Sequence, residues 1–240
     1  VYISPHLVRF NERIRLAGNL VTDEALDDAL AEIERVNDAA PITVFEAITA
    51  AAFVLFARNP ADLAIIEVGL GGKFDATNVI PPPLVAAITA ISLDHREFFG
   101  DTEALIALEK SGIIKPGSRV ITGQQPPDVL DVITATAQVH AVPLLARGRD
   151  WQVNPTTDGF LFRDASVALS LPPPALHGAH QMDNAGIAIA ALRSSGLIVP
   201  DHAYAQGMRD VEWPARMQQI GAPLANLLPV GSSLWLDGAH

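Results

Sequence analysis

Apolar residues follow two rhythms along this chain. Short runs such as Leu63 to Val68, Leu84 to Leu93 and Ser118 to Thr122 stop at Gly, Pro or polar residues, the pattern of buried strands. Between them lie longer segments of helical period. From Thr22 to Val36, Leu26, Leu30 and Ile33 recur at spacings of four and three, with acidic residues in the first turn, which predicts a surface helix. Thr102 to Ile114, Asp128 to Val139 and Gln181 to Ser195 read as further helices, and Val44 to Ala57 as a buried one. The alternation predicts an α/β fold with a mostly parallel sheet flanked by helices. Val142 to Leu171 breaks the rhythm with short alternating runs around Thr156-Thr157-Asp158-Gly159, which predicts a small antiparallel unit. After Trp213-Pro214 a loose stretch leads to a last strand, Leu234-Trp235-Leu236. A boundary is expected there, with 1–215 as one domain and 216–240 as a linker and the first strand of another. Both ends read as cut, the first within a strand Val1-Tyr2-Ile3, so the chain is expected to be an internal piece of a longer protein.

Composition narrows the function. The 240 residues are 49% hydrophobic and 18% charged, enough for a sizeable core. A formal net charge of −11 opposes binding to nucleic acid and to anionic membranes, and leaves an anionic substrate in need of local help such as a metal. The absence of cysteine excludes disulfides, zinc-thiolate sites and thiol nucleophiles, and points to the cytoplasm. Val44 to Ala57 carries Glu46 and is shorter than the roughly 20 residues a bilayer requires.

Ligands of open parallel sheets sit at the carboxyl ends of the strands. Four polar groups fall at such ends: Ser4-Pro5-His6, Glu67, Asp94-His95 and Asp237 to His240. A carboxylate, an imidazole and a hydroxyl on one edge suit a divalent cation that also holds phosphate oxygens, although each residue alone is an ordinary turn former. Gly69-Leu70-Gly71-Gly72-Lys73 fails as a phosphate loop, because Glu67 stands where the leading glycine belongs and Phe74 where Ser or Thr would hold magnesium. Its glycines read instead as a tight turn. The chain has three lysines, Lys73, Lys110 and Lys115; Lys110 closes a predicted helix, where a cation complements the dipole. His177 and His180 lack a third metal ligand nearby in sequence, and Asn184 on the following helix could bond a base or merely solvate the helix end.

In their order along the chain these segments resemble the folylpolyglutamate synthase/dihydrofolate synthase family of Mur-type ATP-dependent amide ligases. The resemblance runs through Tyr2-Ile3-Ser4-Pro5-His6-Leu7 with Glu12-Arg13-Ile14, Phe45-Glu46 with Thr49, and Glu67-Val68-Gly69-Leu70-Gly71-Gly72 with Asp75-Ala76-Thr77-Asn78. It continues through Leu93-Asp94-His95, Glu109-Lys110-Ser111-Gly112-Ile113, Gly178-Ala179-His180-Gln181 with Asn184-Ala185, Arg216-Met217-Gln218 and Asp237-Gly238-Ala239-His240. It implies a P-loop-type Mur ligase central domain followed by a Rossmann-like C-terminal domain. The implied reaction joins L-glutamate to dihydropteroate or folate, with ATP as co-substrate and an acyl-phosphate intermediate, in folate biosynthesis. It further implies Ser4, Glu67 and His95 as magnesium ligands, and Lys110 as the lysine the family carbamylates into a second metal ligand, so that Glu67, His95 and Lys110 form the catalytic set. Nucleotide contacts are implied for Asn184 near the base, Asp237 toward ribose, and Arg216 and His240 toward phosphate. Phe45, Glu46, Asp75, Thr77 and Asn78 are implied on the acceptor and glutamate side, and a monomer is the expected state.

The chain also departs from the family pattern. The Gly-Lys-Gly-Ser loop expected before Ser4 is not in this sequence, so the chain by itself is expected to be inactive. Lys73-Phe74 replaces Arg-Leu, Arg96 stands where Thr is usual, and Ser111 replaces Ala. Two other readings share the pattern: a cell-wall or cyanophycin-type ligase on the same chassis, and a non-catalytic module that keeps a pterin or nucleotide cleft.

Overall fold

The computed structural model describes residues 1–229 and 231–238. The expected site residue His240 lies outside the described residues. The chain divides into two compact units, one of Val1–Pro81 with Leu93–Ile113 and the other of Pro82–Ser92 with Ile114–His240. This division falls inside the expected first domain instead of at its end.

The first unit is built on two helices and a few extended segments. α1 (Asp23–Asn37) starts at Thr22, whose hydroxyl accepts the Ala25 N–H, and ends at Asp38 in the left-handed region. α2 (Val44–Arg58) starts at Thr43 with a reciprocal capping box from Glu46. Their facing sides bury Leu26, Ala29, Ile48, Ala51, Ala52 and Leu55 together with Tyr2 and Ile14. Tyr2 is fully buried, and its hydroxyl is satisfied by Thr49 at 2.8 Å. A tight hairpin joins β1 (Arg15–Leu16) to β2 (Asn19–Leu20). α3 (Arg96–Phe99) and α4 (Glu103–Lys110) follow, and α4 tightens into a 3-10 turn over Ser111–Ile113.

The expected strand Leu63 to Val68 is reduced to one parallel bridge, Tyr2 to Ile66. Tyr2 donates to the Ile65 carbonyl and accepts from the Glu67 N–H. Pairing stops there because the Ser4 N–H goes to the Glu67 side chain instead of a ladder carbonyl, and Pro5 has no N–H to offer.

The second unit holds the parallel sheet, in which β3 (Val85–Ile88), β4 (Arg119–Thr122) and β5 (Leu144–Ala146) pair in that order. β3 is shorter than the apolar run predicts. Beyond it the backbone is held by a side chain: Gln125, buried, accepts the Ile91 N–H at 3.0 Å and donates to the Thr89 carbonyl at 2.8 Å. Leu144–Ala146 belongs to this sheet and not to the antiparallel unit in which it was expected. That unit comprises β6 (Trp151–Thr156), β7 (Gly159–Asp164) and β8 (Ala168–Leu171). Their inward residues Trp151, Phe160, Phe162, Leu169 and Leu171 form one core with Ile187 and Ile189. These last two lie on α6 (His180–Ser194), which accompanies α5 (Pro127–Val139) and α7 (Asp201–Asp210). A mid-helix glycine costs about 1 kcal/mol, and Gly186 has a packing reason for it: a Cβ there would lie 2.6 Å from the Trp151 ring. The last strand, β10 (Leu234–Leu236), pairs antiparallel with β9 (Gln218–Ile220). Among the described residues no helix is long and apolar enough to cross a membrane.

Candidate functional site

Four of the expected chemistry-bearing positions, Ser4, Glu67, His95 and Lys110, fall in the first unit. Tyr2–Ile66 pairing puts Ser4 and Glu67 at the carboxyl ends of adjacent segments, and the Ser4 N–H donates to Glu67 Oε2 at 2.7 Å. That bond fixes the orientation of an exposed carboxylate. The loop after Ser4 is held from below by Glu12, whose carboxylate accepts the N–H groups of Leu7, Val8 and Arg9 at 2.7, 3.1 and 2.9 Å. The Leu7 bond first, with the Arg9 and Val8 bonds, holds the Glu12 carboxyl below its ordinary value. Arg13 Nε donates to His6 Nδ1 at 2.9 Å, and the His6 ring lies on Phe10 with centroids 4.3 Å apart.

His95 occupies the left-handed region as the residue leading into α3. Its backbone N–H and its ring both turn to Asp94, at 2.8 and 3.6 Å, and its ring meets Phe99 edge-on. Lys110 ends α4, half-buried. Immediately after it, Ser111 is fully buried with an unpaired hydroxyl.

The glycine turn after Glu67 is shaped by packing. Gly71 has φ +71, as a tight turn requires. Gly69 lies against the Phe45 ring, where a Cβ would come within 2.7 Å of Cε1. Gly72 lies on the end of α4: a Cβ would sit 2.8 Å from the Glu109 carbonyl oxygen and 2.9 Å from that of Lys110. The Asp75 carboxylate closes this turn, accepting the Leu70 N–H at 2.8 Å, the Thr77 N–H at 2.9 Å and the Thr77 hydroxyl at 2.5 Å. Asn78 Nδ2 donates to the Lys73 and Gly112 carbonyls, both at 3.1 Å. Glu46, with its carboxylate on the Thr43 N–H and hydroxyl, is a helix cap. Those Thr43 bonds hold its carboxyl below the ordinary value. The Thr-x-x-Glu spacing is a sequence signature of such a cap, as the Glu12 clasp is not.

In the second unit, Asn184 Nδ2 donates to Gln181 Oε1 at 3.1 Å, and buried Gln181 contacts His180 Nε2. β9–β10 pairing brings the Arg216 and Asp237 segments together, with the Met217 N–H donating to Asp237 Oδ1 at 3.0 Å. His177 packs edge-on against Trp235 at 4.8 Å. Arg216 itself is exposed.

Among the described residues no three His, Asp or Glu side chains gather as a metal cluster. The expected set contains only one carboxylate and one imidazole beside a hydroxyl. That donor chemistry fits Mg2+, which prefers few protein ligands and takes the remainder from water and phosphate. A depression of about 520 Å3 lined by Leu30, Ile33, Asn37, Ile42 and Ala47 carries none of the expected site residues.

No family model matches the chain. It is 38% identical over 221 residues to the dihydrofolate synthase/folylpolyglutamate synthase of Escherichia coli, covering 92% of this chain and 51% of that protein. It is 34% identical to the folylpolyglutamate synthase of Lacticaseibacillus casei, over 100% of this chain and 58% of that one. Among solved structures, E. coli FolC in complex with DHPP and ADP superposes with a TM-score of 0.88 at 35% identity, covering 100% of this chain and 54% of that one. A bifunctional folylpolyglutamate synthase/dihydrofolate synthase with Mn, AMPPNP and L-glutamate bound gives 0.87 at 33%, over 100% and 55%. The chain spans about half the length of the relatives it matches.

Proposed function

From a chain whose homologues and structural neighbours, along its whole length, are folylpolyglutamate synthases/dihydrofolate synthases, we propose a part in ATP-dependent ligation of L-glutamate to dihydropteroate or folate. The observation that carries the reading is the Ser4 N–H to Glu67 bond at the carboxyl ends of two paired segments, beside a glycine turn seated on the helix end that bears Lys110. In the reaction the acceptor carboxylate attacks the γ-phosphorus of ATP and ADP leaves; the glutamate amine then attacks the acyl phosphate, forming the amide and releasing phosphate. A bound divalent ion, Mg2+ here, would supply neutralisation of phosphate charge.

Ser4 Oγ, the Glu67 carboxylate and the His95 imidazole would hold that ion, with Lys110, carbamylated, as a further anionic ligand. Asn184 would meet the base, Asp237 the ribose, and Arg216 and His240 the phosphates. Phe45 would border the acceptor. The polar atoms of Glu46, Asp75 and Thr77 are engaged in holding their own loops, so their part is to shape the surface the acceptor lies on. Residues 1–215 would form the central Mur-ligase domain and 216–240 the entry to a Rossmann-like one, in a monomeric cytoplasmic protein.

The test is ADP release by the intact gene product with ATP, Mg2+ and glutamate, comparing dihydropteroate and folate with cell-wall and cyanophycin-type acceptors. Release dependent on a pteroate or folate, and its loss in Glu67→Gln, is expected; release coupled only to another acceptor, or to none, overturns the reading.

A further inference from the structure

The loop that follows Glu67 and the end of α4 are interlocked backbone to backbone. Gly72 admits no Cβ because of the Glu109 and Lys110 carbonyls, and Gly112 admits none because of Lys73, whose Cα would be 2.5 Å away. Each segment thus supplies the glycine on which the other rests. The Lys73 N–H donates to the Glu109 carbonyl at 3.0 Å, satisfying one of the carbonyls that a helix end leaves without an intrahelical partner. Asn78 ties the crossing, one amide group donating to a carbonyl on each of its two segments, Lys73 on one and Gly112 on the other. Lys110 lies between the two points so tied, Glu109 and Gly112.

We propose that Asn78 is a positioning residue: its amide clasp fixes the Lys110 backbone against the turn that carries Glu67. The proposal rests on the ligase reading above and reassigns Asn78 from the acceptor surface to the support of Lys110. The physical reason is that Lys110 has a long, rotatable side chain and sits at a helix terminus, the part of a helix most prone to fray. A group meant to act beside a carboxylate must be held by its neighbours to be useful. An amide suits the task because it supplies two donors to two carbonyls. Asp in its place would set a carboxylate against the same two carbonyl oxygens.

The experiment uses the intact gene product as wild type, Asn78→Ala, Lys110→Ala and the double variant. Mn2+ affinity with ADP present is read by electron paramagnetic resonance, acceptor-dependent turnover is read beside it, and peptide-level hydrogen exchange covers residues 70–75 and 106–113. Asn78→Ala is expected to lose protection in both peptides together. It should weaken Mn2+ binding or turnover roughly tenfold to a hundredfold, the usual effect of removing an outer-shell partner. On the Lys110→Ala background it should add little, since the lysine it positions is gone. Equal losses on both backgrounds, or coupled deprotection with Mn2+ affinity and turnover unchanged, overturn the proposal. Should Asn78→Ala not fold, Asn78→Ser, which keeps one donor, is read by the same criteria. A wild type that neither binds Mn2+ with ADP nor turns over defeats the ligase reading; independent exchange of the two peptides in Asn78→Ala then defeats the clasp itself.

Discussion

Replacing Ser111 by alanine is expected to make the protein more stable. Ser111 opens the 3-10 turn after α4, has no solvent exposure, and its hydroxyl has no hydrogen-bond partner. Its backbone is not at fault, since its N–H donates to the Ala107 carbonyl. An unpaired hydroxyl buried this way costs about 1–3 kcal/mol of desolvation. Deleting one oxygen leaves a gap smaller than a water and forfeits a few atom contacts of about 0.1–0.2 kcal/mol each. Desolvation therefore wins, and Ser111→Ala should gain about 1 kcal/mol, or about 2–4 °C in Tm for a chain of this size. Urea unfolding of the two proteins measures it, with equal slopes required so that the midpoint shift reports stability alone. Ser111→Val serves as the opposite control: it removes the hydroxyl but forces an added methyl into a filled site, and should cost about 1–3 kcal/mol. A loss of 1 kcal/mol or more in Ser111→Ala would show that the hydroxyl holds a hydrogen bond and would refute the reasoning.

Arg193 Nε donates to Asp164 Oδ2 at 2.6 Å in a pair whose side chains are each about one-fifth exposed. Arg193→Met should cost about 2–3 kcal/mol by urea unfolding, because it strands a partly buried carboxylate. Burial would by itself raise the Asp164 carboxyl, but the Arg193 bond and the Ser166 and Val167 N–H groups outweigh it and hold it below its ordinary value. The unfolded chain thus binds the proton more readily, so this contribution is full above about pH 4, the unfolded carboxyl value, and is lost as pH falls through the folded one; an acid limb unchanged in Arg193→Met would contradict it. Gly186→Ala sets a Cβ against Trp151 and Val153, and should lower the free energy of urea unfolding by about 1–3 kcal/mol. Glu46→Gln should leave the KM for acceptor where it is, because the carboxylate is spent on Thr43; a tenfold rise would show that the carboxylate itself contacts the acceptor.

Much of this protein was legible without coordinates, because periodicity is a local property. The helices over Asp23–Asn37, Val44–Arg58 and His180–Ser194 announced themselves through apolar spacing and capping residues. The antiparallel unit was legible from its alternation and its Asp158-Gly159 turn. The order of motifs also pointed to the family that the relatives and superpositions bear out. What the sequence could not reveal was where a run of apolar residues finds its partner. Leu63 to Val68 has the composition of a strand, yet its pairing ends at one bridge because Ser4 spends its N–H on a side chain. Leu144–Ala146 looks like the start of a hairpin and joins the parallel sheet instead, since β4 offers it a ladder. The site divides in the same way. Residue type and order nominated Ser4, Glu67, Lys110 and the Asp75 to Asn78 loop, but chemistry alone could not say which of them face a ligand and which hold the fold. Only the tertiary structure shows Glu12 clasping the loop after Ser4, Asp75 closing a turn, and Gly72, Gly112 and Asn78 binding two distant segments together. A polar side chain has a limited number of donors and acceptors, and the fold decides how many of them remain for anything else.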